Sequence, residues 1–186
     1  MTTPATPRPN EARSNEGASN AEILRRWARN ITPWLLLAIG MWWIGSSIQA
    51  DRLPRGPAPE LRVELRGAPF DLAEQRGKVI VLNFWAAWCP PCRAEAPALS
   101  RVASYMQQHD AALIGLAVDT ISLPRAERLG MRYPHALVTQ ADIDRFRVTT
   151  LPSTFVIDAR GEITRTFVGE VSEAELRSAV DDALGR

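Results

Sequence analysis

From residue 61 onward, short apolar runs alternate with helically spaced apolar stripes. Residues 79–85 (VIVLNFW) form a bounded run of β-formers interrupted only by Asn83, the signature of a strand buried on both faces. Leu99, Val102, Ala103 and Met106 then recur at helical spacing, and Pro97 is expected to kink that helix. Residues 111–118 (AALIGLAV) predict a second buried strand, parallel to the first because a helix crosses between them. Residues 61–65 alternate apolar and charged positions as a half-buried strand does; 66–69 are expected to turn it and 70–76 to connect it to the central strand. Further on, the pattern predicts a short helix over 123–131, a strand over 136–138 and a helical turn over 142–147. Strands over 153–157 and 163–168 flank a turn at 158–161. Ser172 and Glu175 form a capping-box signature, and Leu176, Val180 and Leu184 give the last helix its apolar side. The order of αβ units, hairpin and helix predicts an α/β sandwich around a mixed sheet.

The first 60 residues have a different texture. Residues 1–30 are expected to be a disordered cytoplasmic tail, the first twenty of them rich in Pro, Thr, Asn, Ser and charge without apolar periodicity. Residues 31–50 carry no charge, and as a helix roughly 20 residues at about 1.5 Å each just span a bilayer core. Trp34 towards one end and Trp42 and Trp43 towards the other suit the two interfaces. Five arginines precede this span and only Arg52 and Arg55 follow closely, a bias that puts the later residues outside the cytoplasm. A cleaved signal peptide is the rival reading, against which Ile48-Gln49-Ala50 makes a mediocre cleavage site. Residues 51–59 (DRLPRGPAP) read as a proline-rich linker, and 60–186 as the folded domain.

Over 186 residues the formal net charge is +1, which gives no reason to expect a nucleic-acid partner. Cys89 and Cys92 are the only cysteines. With two residues between them, they can close a small disulfide or ligate a metal. Delivery of Cys89 by a strand to a helix N-terminus favours redox chemistry, because unpaired N–H groups and the helix dipole stabilise a thiolate there. Pro90 and Pro91 suit a first helical turn, which loses nothing when an N–H is missing. Cys89 is then the exposed nucleophile and Cys92, one turn on and more buried, the resolving thiol. No cofactor beyond this redox pair is expected. A zinc site would have to recruit the distant His109 and His135, and c-type haem attachment would need histidine where Arg93 stands. Copper(I) held by the two thiolates is the non-enzymatic alternative.

The stretch NFWAAWCPPCRAEAP, followed by LPSTFVIDARGEI at 151–163, resembles the membrane-anchored thioredoxin-like proteins of the TlpA/ResA family. The resemblance covers roughly 59–184. It implies a thioredoxin-like three-layer sandwich with extra N-terminal strands, following one transmembrane helix. It implies a cis peptide bond before Pro152, beside the cysteines, with the backbone at Leu151 pairing with an extended substrate segment. Trp88, Pro90 and Pro91 would border that surface, while Trp85 belongs to the core. Glu95 matches the acidic residue of the family's C-x-x-C-R-x-E-x-P segment; proton transfer is one role for it and a solvated helix glutamate the blander one. Asn83 replaces the buried aspartate of cytoplasmic thioredoxins and cannot take a proton, and Thr150 stands where many relatives have glycine. The activity implied is thiol–disulfide exchange in the periplasm by a single-pass inner-membrane protein. It would reduce client disulfides, for example in cytochrome c maturation, with electrons from a membrane thiol transporter. A periplasmic disulfide oxidase or stress-linked disulfide enzyme shares the fold.

Overall fold

In the computed structural model the described residues are Pro33, Leu37, 55–65 and 67–186. The chain divides into two units, Met1–Asp51 and Arg52–Arg186. The expected tail and transmembrane span fall outside the described residues except at Pro33 and Leu37, and among the described residues no helix is long and apolar enough to cross a membrane.

Among its described residues the second unit holds eight strands and three α-helices: β1 (Gly56–Pro57), β2 (Arg62–Leu65), β3 (Ala68–Asp71), β4 (Val79–Trp85), α1 (Pro90–Met106), β5 (Ala111–Ala117), β6 (His135–Leu137), α2 (Gln140–Arg145), β7 (Ser153–Ile157), β8 (Glu162–Val168) and α3 (Glu173–Leu184). Six strands form one mixed sheet in the order β1-β8-β7-β4-β5-β6. β5 runs parallel to both β4 and β6, and β7 runs antiparallel to β4 and β8. This is the expected α/β fold with a mixed sheet.

All seven residues of β4 are buried, because the sheet is covered on both faces. Val79, Val81 and Trp85 pack in one core with Leu99, Val102 and Met106 of α1 and Leu176 and Val180 of α3. Ile80, Leu82 and Phe84 pack in the other with Phe146, Phe155, Leu61 and Leu72. Each large side chain so buried contributes about 1.5–3 kcal/mol. The alternation of β4 therefore decides which side chains reach α1, and Asn83 is on that side.

Three local expectations are corrected. Residues 68–71 are not a turn and connection but a strand, β3, paired antiparallel with β2; Pro69 is tolerated because the ladder is only two strands wide. Residues 123–131 form two 3-10 turns, Leu123–Arg125 and Glu127–Leu129, instead of a helix. Gly130, left-handed at φ 76°, ends the second before another turn can form. Gly56 and Pro57, in the expected linker, pair with Ile163 and Glu162 on β8.

Gly115 in β5 marks the tightest packing. A Cβ there would lie 2.1 Å from His135 Nδ1 and 3.1 Å from Trp85 Nε1. Gly115→Ala is expected to destabilise the fold by about 1–3 kcal/mol, read from the denaturant midpoint. An unchanged midpoint would mean that His135 swings aside freely.

Candidate active site

β4 ends at Trp85, and a tight turn closed by Cys89 N–H donating to Ala86 O at 3.2 Å leads into α1. Cys89 is the N-cap, in extended conformation, with Pro90 and Pro91 in the first turn. Its Sγ accepts from the backbone N–H of Cys92 at 3.3 Å, and the two cysteines are joined as a disulfide with Cα atoms 5.3 Å apart. The helix terminus thus points a backbone donor at the sulfur, as thiolate stabilisation requires.

The expectation of an exposed Cys89 is corrected: it is 3% exposed, against 0% for Cys92. As cap and disulfide partner, Cys89 turns its side chain inward. The surface around it belongs to Trp88, 66% exposed, and to Pro90 and Pro91, while Trp85 is buried in the core as expected. The Leu151–Pro152 bond is cis. Ser153 pairs with Phe84, which sets Pro152 at the end of β4 where the cysteine turn begins. Leu151, half-buried, packs against the core that contains both cysteines.

Glu95 is not the solvated helix residue that its charge suggests. It is 1% exposed, one turn beyond Cys92 on the buried stripe of α1. Asn83 Nδ2 donates to its Oε1 at 2.9 Å, and the Val171 N–H donates to its Oε2 at 3.3 Å. Burial raises the carboxyl from its ordinary 4.5 to about 7, against the lowering effect of these two donors. Asn83 also donates to Thr154 Oγ1 at 2.9 Å. It cannot take a proton itself, but it orients the group that can. Tyr133 is buried in the same core; burial, then the charge of Glu95, pushes its phenol well above the usual range.

The two histidines lie elsewhere in the packing. His109 rests on Tyr105, with ring centroids 4.2 Å apart, and His135 lies between Tyr133 and Trp85. Among the described residues no group of three or more His, Cys, Asp or Glu is arranged to hold a metal ion.

Local sequence did not reveal the loop after β5. There Asp119 accepts from Trp88 Nε1, and Ile121 is 61% exposed. Asp119 lies 31 residues from its indole partner, so only the register of β4 and β5 brings them together.

Residues 54–166 match the AhpC/TSA family. The chain belongs to this family. Within it, the chain is similar to the thiol-disulfide oxidoreductase ResA of Geobacillus thermodenitrificans, 28% identical over 122 residues that cover 63% of this chain and 70% of that one. It is also similar to sporulation thiol-disulfide oxidoreductase A of Bacillus subtilis, 23% identical over 80% of this chain and 93% of that one. Among solved structures, a thioredoxin-family thiol:disulfide interchange protein from Chlorobium tepidum superposes with a TM-score of 0.64 at 32% identity, covering 71% of this chain and 98% of its own. The resemblance read from the two motifs therefore holds: this AhpC/TSA member is thioredoxin-like and is a thiol–disulfide oxidoreductase.

Proposed function

We propose that this oxidoreductase reduces disulfides of client proteins outside the cytoplasm, held at the membrane by residues 31–50. The observation that supports the exchange chemistry is a buried carboxyl, Glu95, raised by burial to about 7 one helical turn beyond Cys92; the reducing direction is the one implied by the resemblance to the TlpA/ResA family. A reductant must deprotonate its second thiol while the first is tied up in a mixed disulfide, and a group titrating near neutrality suits that task.

The reaction starts from the dithiol. The Cys89 thiolate, stabilised by the helix N-terminus, attacks one sulfur of the client disulfide. A mixed disulfide forms, and the other client sulfur leaves as a thiolate that takes a proton from water. Cys92 gives its proton to Glu95, and its thiolate attacks Cys89 Sγ. The Cys89–Cys92 disulfide closes and the second client thiolate leaves, protonated by Glu95 or solvent. Two electrons have passed from the protein dithiol to the client. A membrane thiol transporter would restore the dithiol, and apocytochrome c cysteine pairs are one fitting class of client.

The test is the reduction potential of Cys89–Cys92, equilibrated against thiol redox buffers. A reductant is expected at about −250 mV or lower, near thioredoxin at about −270 mV. A value near about −120 mV would make the protein an oxidant and overturn the direction, leaving the thiol–disulfide chemistry in place.

A further inference from the structure

The turn that delivers Cys89 is held from outside its own strand. The Ala87 N–H donates to Ser122 Oγ at 2.7 Å, and the Ser122 hydroxyl donates to Asp119 Oδ2 at 2.9 Å. The Ser122 N–H donates to Asp119 Oδ1 at 2.7 Å. Trp88 Nε1 donates to Asp119 Oδ2 at 2.9 Å. Ser122 is wholly buried and Ala87 is 7% exposed, so this is an interior joint with one face open at the indole. Burial alone would raise the Asp119 carboxyl; the donors from Ser122, Trp88 and Ile121 outweigh it and hold the group below its ordinary value.

We propose that Ser122 and Asp119 are positioning residues for disulfide exchange: Ser122 fixes the 86–89 turn and hence the orientation in which Cys89 caps α1, and Asp119 holds the Trp88 indole on the surface beside it. The inference rests on Cys89 being the attacking thiol. Cys89 keeps its thiolate through one directed backbone donor at the helix N-terminus, and such a contact weakens steeply as its angle opens. Ala87 lies inside the turn whose closure, Cys89 N–H to Ala86 O, sets that angle. Without Ser122 the buried Ala87 N–H has no acceptor, and the turn must tilt to find water.

Two substitutions separate the backbone hold from the indole hold. Ser122→Ala removes the acceptor of Ala87 and leaves the bond between Trp88 and Asp119. Asp119→Asn does the reverse. With its amide oxygen on the Ser122 N–H, its NH2 faces Ser122 Oγ, which can accept; the Trp88 N–H then meets a donor and is released. Removing the carboxylate also takes away a negative charge that disfavours a nearby thiolate.

The measurements are the alkylation rate of Cys89 by iodoacetamide at pH 7 in the reduced full-length chain, and kcat and KM for insulin reduction. Ser122→Ala is expected to slow alkylation and kcat about tenfold, whereas Asp119→Asn raises KM about threefold without slowing alkylation. Ser122→Thr, which keeps the hydroxyl, should return both rates to within about twofold of wild type. The inference is overturned if Ser122→Ala matches wild type, or if both variants slow alkylation alike, as general loosening would. Should Ser122→Ala fail to fold, Asp119→Asn still decides, since an unchanged KM sinks the indole half and slowed alkylation contradicts the division of labour. A wild-type chain that reduces no insulin disulfide would instead overturn the functional reading itself.

Discussion

Cys92→Ser is expected to stop turnover while leaving the first chemical step intact. Insulin reduction should fall more than about a thousandfold, because the path through the second covalent exchange is lost. The variant should still accumulate a covalent adduct with a client peptide, seen as a mass shift that dithiothreitol reverses. Cys89→Ser should show the same loss of turnover and no adduct. The asymmetry follows from position: Cys89 caps the helix beside the exposed Trp88 and prolines, whereas Cys92 is wholly enclosed. An adduct formed equally well through Cys92 would reverse the assigned roles.

Glu95→Gln should make the protein more stable and less active. A carboxyl raised from 4.5 to about 7 keeps its proton in the folded chain over a range where the unfolded chain has released it. The folded state then binds more protons than the unfolded one, so stability falls as pH rises from about 4.5 to about 7 and is level above that. The total loss is roughly 3 kcal/mol. Glutamine removes the slope. It also keeps its contacts: its oxygen accepts from Val171, and if Asn83 flips, the Asn83 oxygen accepts from the new amide and from the Thr154 hydroxyl. The variant is therefore expected to be about 3 kcal/mol more stable at pH 8 and unchanged near pH 4, measured by denaturant titration. Its exchange rate at pH 7 should drop about a hundredfold. A stability difference that does not change with pH would show that Glu95 titrates normally.

The strand–turn–helix around the cysteines was legible because each part follows a local rule: an unbroken apolar run, prolines where no donor is needed, and a 3.6-residue stripe. Glu95 was misjudged through its charge, although its position was informative. Cys92, Glu95, Ala96 and Leu99 fall on one face, and a carboxylate on such a stripe must be buried and partnered. Pro69 hid β3, since proline reads as a breaker unless the strand is known to lie at an edge. The Asp119–Ser122 joint was out of reach for a different reason. Its partners lie 31 and 35 residues away, and nothing local distinguishes this Asp and Ser from those of any polar loop.

Gly56 and Pro57 close the outer side of β8 with a strand of only two residues, one of which has no N–H. A third chain arriving at that side meets an incomplete row of donors, too short to set a register. Many copies confined at high density would therefore have no template there for growing a continuous ribbon from molecule to molecule. The leading segment of the domain thus leaves this edge of the sheet a poor template for a further strand.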